Sequence, residues 1–175
     1  PITADIHQRL RQLLLEYVVV GGMPEAVKTF FATHDMNQVC QVQRHILNGY
    51  RDDMIKYARA EDKPRIRECF DSIPRQLSRD NKKFTYSVVR KGGRSKEYIS
   101  CLQWIEDAGI VRRCYNLMLP EIPLSGNSIQ DCFKVYMADT GLLVSMLDDG
   151  TQGDILQGNL WTYKGAVYEN LVADI

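Results

Sequence analysis

Eight lysines and arginines crowd into the 22 residues from Arg75 to Lys96: Arg75, Arg79, Lys82, Lys83, Arg90, Lys91, Arg94 and Lys96. Asp80 is the one acid among them, so the segment carries +7 (eight minus one). The whole chain has 22 Lys+Arg and 22 Asp+Glu and is neutral, so the remainder must sum to −7. Neutrality overall gives no reason to expect a polyanionic or membrane partner; a local excess of this kind suits phosphate contacts. The residues expected to touch a duplex are Lys83, Arg90, Lys91, Arg94 and Lys96, with Ser100 and Gln103 facing a groove from the helix that follows. Glu97, Glu106 and Asp107 on that helix repel phosphate if they turn the same way.

Other clusters carry less chemistry. Gly21-Gly22-Met23-Pro24 combines two residues that let a backbone approach closely with a proline suited to the first turn of a helix. A helix N-terminus there favours anions, and a plain helix–helix turn uses the same residues. Asp52, Asp53 and Lys56 lie within about one turn; they read as a solvated face with an internal ion pair, and as a metal site only with a third ligand from elsewhere. The five cysteines (Cys40, Cys69, Cys101, Cys114, Cys132) have no close spacing, which argues for reduced core thiols and a cytoplasmic setting. His7, His34 and His45 are scattered and suggest no triad.

The elements that must position these residues follow from periodicity. Ile6, Leu10, Leu13, Leu14 and Tyr17 form one stripe of a helix over 5–19, predicted to face the core. Helices follow over 24–33, from Asp35 to Tyr57 and from Pro64 to Leu77, with Pro74 a candidate kink. The pattern then changes. Phe84–Tyr86 reads as extended, Ser87–Arg90 as a helical turn, and Ser95 as the cap of a helix to Ala108 whose buried stripe is Tyr98, Cys101, Leu102, Ile105 and Ala108. Ile110–Tyr115 and Cys132–Met137 read as strands joined by a loop from Leu117 to Gln130. The order is that of a winged helix-turn-helix, with Ser95–Ala108 as recognition helix and the long loop as wing. A helix from Thr140 to Leu147, a polar linker from Asp148 to Gly158 and a further helix from Lys164 complete the chain. The expected fold is mainly α (α+β): a helical bundle followed by a winged helix with a small antiparallel sheet. No apolar run approaches the ~20 residues of a membrane span.

Four strings carry a resemblance: Tyr17-Val-Val-Val-Gly-Gly-Met-Pro24, Tyr50-Arg-Asp-Asp-Met-Ile-Lys56, Phe133-Lys-Val-Tyr-Met-Ala-Asp-Thr-Gly-Leu-Leu143 and Lys164-Gly-Ala-Val-Tyr-Glu-Asn-Leu-Val172. Together they resemble the C-terminal part of AAA-type ATPases of bacteria and archaea that end in the domain of unknown function numbered 4143. The resemblance implies a lid-like subdomain over 1–62, a winged helix over 63–147, and a linker with the first helix of a truncated restriction-endonuclease-like domain over 148–175. It implies that Gly21, Gly22 and Pro24 touch a nucleotide as part of the lid, and that Glu169 belongs to the nuclease-like helix. ATP and Mg²⁺ would belong to the parent protein, in an N-terminal P-loop domain. This chain has no G-x-x-x-x-G-K-[ST], so it is expected to hold no cofactor and no catalytic residues of its own. The start at Pro1 and the end at Ile175 within an apolar-periodic segment suggest a piece of a longer protein.

Two functions of different class follow. One is a DNA-binding regulatory module, in which nucleotide turnover moves a lid coupled to the winged helix. The other is a protein-docking module with no DNA contact. An oligomeric assembly is compatible with both.

Overall fold

A computed structural model describes residues 3–159 and 164–174. The chain forms two compact units, one of residues 1–52 with 139–175 and the other of residues 53–138. The linear boundaries expected at 62/63 and 147/148 are therefore not where compactness divides the chain: the segment after Ala138 returns to the first unit.

The first unit begins with α1 (Ala4–Val20), capped by the Thr3 hydroxyl, then α2 (Pro24–Thr33). The long α3 (Met36–Tyr57) starts where Asp35 accepts the Asn37 N–H at 2.8 Å. α7 (Thr140–Ser145), α8 (Thr151–Leu156) and α9 (Lys164–Asp174) close the unit. Its apolar core joins Leu15, Val18 and Val19 of α1 to Val144, Ile155, Val167 and Leu171. The stripe expected to make this core does not: Ile6, Leu10, Leu13, Leu14 and Tyr17 are all exposed. α1 carries two apolar faces, and the one with valines near its C-terminus is covered. The expected linker from Asp148 to Gly158 also differs, because α8 lies within it and buries Ile155. Ile175, assigned by periodicity to the last helix, lies outside the described residues.

A polar knot holds the unit together. Gln43 is fully buried; its Nε2 donates to the carbonyls of Val19 (2.8 Å) and Val20 (3.0 Å), and its Oε1 accepts from Ser145 Oγ (2.8 Å). Asp139, 2% exposed, accepts from Gly22 N–H at 2.6 Å and caps α7 by accepting from Leu142 N–H at 2.7 Å. Buried groups of this kind must be satisfied, and among the described residues no buried side-chain N or O lacks a partner.

The second unit contains α4 (Lys63–Leu77), α5 (Tyr86–Val89), α6 (Ser95–Asp107) and an antiparallel hairpin of β1 (Val111–Leu117) and β2 (Ser128–Met137). The result is α+β, mostly helical with a small two-stranded sheet, as expected. Both strands are longer than predicted, and the connecting loop shrinks to 118–127. α4 runs to Leu77 as expected, with Pro74 inside it. α4 buries Ile66, Phe70, Ile73 and Leu77, and α6 buries Tyr98, Cys101, Leu102 and Ile105 as the stripe predicted, whereas Ala108 caps the helix and is exposed. The expected third extended segment joins the sheet through one backbone bond only, from Phe84 N–H to Phe133 O at 2.8 Å, with the two rings stacked at 5.7 Å. Its next residue finds another partner. Buried Gln76 of α4 exchanges two hydrogen bonds with the Thr85 backbone, doing what a neighbouring strand would do.

Candidate nucleic-acid interface

The turn between α5 and α6 is built from Arg90, Lys91, Gly92 and Gly93. Gly92 has φ +80°, and a Cβ at Gly93 would lie 2.8 Å from the Tyr86 carbonyl, so the tight reversal requires both glycines. Arg94, not Ser95, occupies the cap of α6: its N–H donates to Glu97 Oε2 (3.0 Å), while Glu97 N–H donates to the Arg94 carbonyl (3.0 Å). This reciprocal bond leaves the first turn of α6 flanked by two exposed cations, Arg94 and Lys96.

Beside the turn lies a concavity of about 500 Å³ lined by Arg75, Arg79, Arg90 and Lys91, with Ser87 and the backbone of α5. A smaller one of about 200 Å³ shares Arg90 and Lys91 and adds Arg65. Two of these cations are positioned by the fold. Arg75 donates to the Val88 carbonyl at 2.6 Å, and Arg90 lies 3.7 Å from Glu68. Glu68 also accepts from Tyr98 Oη at 2.7 Å. Burial first, and then that bond, push the Tyr98 phenol up to about 12. Arg65 and Arg75 of α4, and Arg79 just beyond it, were not singled out as contacts beforehand. For Arg75 and Arg79 the available signal was their place in the basic run.

Of the acids on α6 expected to repel phosphate, Glu106 is paired with a cation, while Glu97 and Asp107 accept from neutral donors and keep their charge. Glu97 caps the helix, and Glu106 pairs with Arg113, whose Nε donates to it at 2.6 Å. Gln103 donates to Asp107 at 2.7 Å and accepts a short bond from Arg113. Its amide is therefore engaged at both ends, unlike the open groove-facing residue expected. Ser100 is exposed on the same outer face as Lys96 and Ile99. Lys83 does not join the basic concavity; it lines a separate depression on the hairpin with Lys134 and Cys132. The loop 118–127 carries no cation; it exposes Met118, Leu119, Ile122 (93% exposed) and Leu124 beside the single acid Glu121.

The remaining residues resolve differently. The Gly22 N–H that an anion would use is bonded to Asp139, and a Cβ at Gly21 would lie 2.5 Å from the same carboxylate. Gly21 is required by intramolecular packing and by its positive φ, Gly22 has room for a Cβ, and Pro24 is exposed at the start of α2. Asp52 and Asp53 are exposed on α3, and among the described residues no three His, Cys, Asp or Glu side chains gather as metal ligands. Glu169 sits partly exposed on α9. Among the described residues no helix is long and apolar enough to cross a membrane.

With this geometry in hand, the chain can be placed. It belongs to the family of the domain of unknown function DUF8612, whose model matches residues 11–153. No curated protein and no solved structure matches it. The family match overturns the resemblance to AAA-type ATPases with the 4143 domain. The structure supplies a physical reason for the strings that suggested it. The first and third contain the Gly21-Gly22 turn and the Asp139 that bonds it, so they are two halves of one packing contact. With the resemblance goes the basis for a nucleotide lid at Gly21, Gly22 and Pro24, for a nuclease role of Glu169, and for ATP and Mg²⁺ in a P-loop parent.

Proposed function

We propose that residues 53–138 are a winged-helix module that binds duplex DNA through its phosphates. The observation that carries this is the concavity shared by Arg75, Arg79, Arg90 and Lys91 at the turn into α6. Four cations line it in a chain that is neutral as a whole, next to a helix N-terminus flanked by Arg94 and Lys96. Side-chain charge and helix dipole act together on phosphate at such a place.

The test is a salt titration of duplex binding. Arg79 and Lys91 are the residues to replace, because Arg75 and Arg90 also hold α5 and Glu68 in place. The double alanine variant removes two phosphate contacts. The slope of log affinity against log salt becomes shallower by about 1.8, from 0.9 per contact. An unchanged slope, or no binding by the wild type at low salt, refutes the proposal.

One observation favours a second reading. The hairpin loop is apolar and carries no cation, which is unlike a wing that tracks a phosphate backbone. In that reading the hairpin tip docks a protein, and Ile122→Asp abolishes the interaction while Arg79→Ala leaves it intact.

A further inference from the structure

We infer that the first unit self-associates through α1, two copies packing antiparallel along the exposed stripe that the core leaves uncovered. Ile6, Leu10, Leu13 and Tyr17 are spaced 4, 3 and 4 residues apart, the alternation of a two-helix seam. All four are exposed, and Leu14 flanks them. Isolated exposed leucines need no explanation, but five large apolar residues on one 17-residue helix form a continuous patch. The patch opens onto a groove of about 730 Å³ between α1 and α2, where Leu13 and Tyr17 stand beside Val27, Phe30 and Phe31.

Charge selects the occupant. Arg9 and Glu16 lie on the same edge of the stripe, seven residues apart. When two copies of α1 run antiparallel with Leu10 opposite Leu13 and Ile6 opposite Tyr17, Arg9 of each copy comes near Glu16 of the other, twice by symmetry. A parallel pair brings Arg9 near Leu14 and makes no ion pair on that edge. The antiparallel arrangement is thus the one the helix complements with itself, and it sets Ile6 of one copy against Tyr17 at the groove mouth of the other. The seam from Ile6 to Tyr17 is about 16 Å long, which puts the interface at the weak end, with a dissociation constant on the order of tens of micromolar.

Sedimentation equilibrium of the 175-residue chain at low ionic strength tests this. The wild type is expected to dimerise, and Leu10→Asp with Leu13→Asp to abolish dimers while the circular dichroism spectrum is retained, because both side chains are exposed. Arg9→Glu and Glu16→Arg each turn both edge contacts repulsive and weaken self-association roughly tenfold. Mixing the two single variants is the decisive step. One copy then carries two acids on its edge and the other two cations, so the hetero-pair forms more tightly than either variant alone, and the doubly reversed chain recovers wild-type affinity. A wild type that stays monomeric through several hundred micromolar overturns the inference and leaves the stripe to a different partner. A mixture no tighter than its components overturns the antiparallel pairing.

Discussion

Replacing Asp139 by alanine separates the packing account of the Gly21-Gly22 turn from any ligand-binding account. The carboxylate is almost wholly buried and serves two backbone donors, Gly22 at 2.6 Å and Leu142 at 2.7 Å. Removing the cap of α7 costs about 0.5–2 kcal/mol. Leaving a buried N–H without an acceptor costs about 1–3 kcal/mol. The two contributions overlap at one side chain, so the expected loss is roughly 2–4 kcal/mol, a large share of the stability of a typical domain. Asp139→Asn preserves shape but not chemistry. Both backbone partners are donors, so the amide can satisfy one and must point its own NH₂ at the other; the expected loss is about 1–2 kcal/mol. Asp149→Ala is the control. It removes an ion pair with Arg44 at 2.8 Å between well-exposed groups, and the change should stay within about 0.5 kcal/mol. Urea denaturation followed by far-UV circular dichroism measures all three, with separate transitions allowed for the two compact units. An Asp139→Ala protein within 0.5 kcal/mol or so of wild type, or an asparagine variant as stable as wild type, would refute the reasoning.

Two further outcomes are expected. Gly141→Ala places a Cβ 2.7 Å from both Gln43 Nε2 and the Val20 carbonyl and should destabilise by about 1–3 kcal/mol, whereas Gly49→Ala, on α3 with nothing within 4 Å, should stabilise by about 0.5–1 kcal/mol in the same urea titration. Tyr98, held at about 12 by burial and by Glu68, keeps its proton longer in the folded chain than in the unfolded one, where it ionises near 10. Its contribution is therefore complete below pH 10 and is lost as pH rises through about 12; the stability advantage of wild type over Tyr98→Phe should shrink across that window, and a constant difference would contradict it.

What the sequence revealed depended on whether an element had one apolar face or two. α4 and α6 each have one, so Ile66, Phe70 and Ile73, and Tyr98, Leu102 and Ile105, were legible as core. α1 has two, and periodicity cannot say which will be covered. The stripe with the regular spacing stayed outside, and Leu15, Val18 and Val19 went in. α8 was hidden because its six residues include a glycine and three polar side chains, and only the burial of Thr151 and Ile155 in the fold marks it as structural. The cations of the candidate interface were legible as a run, since charge is additive along sequence. The pairing of Glu106 with Arg113 was not, because it depends on β1 turning back beside α6.

Gly21-Gly22 shows most clearly what a local signature leaves open. Glycines admit a close approach of backbone, but sequence does not say by what. A ligand and a distant carboxylate leave the same local signature. Here the approaching group is Asp139, 117 residues further along, and Gly141 completes the fit because its own Cβ position is taken by Gln43 and the Val20 carbonyl. The same distinction bears on α6. On the proposed reading, Lys96, Arg94 and Lys91 act at phosphates, where position along the duplex suffices. Reading a base edge requires a side chain with unengaged donors and acceptors. Gln103 is the one amide on the outer face of α6, and it is held between Asp107 and Arg113. Releasing it would forfeit the bond from Arg113 that ties α6 to β1. On the proposed reading the grip is on the backbone of a duplex, and any reading of base edges from α6 falls to Lys96 and Ser100, the exposed polar side chains of its outer face.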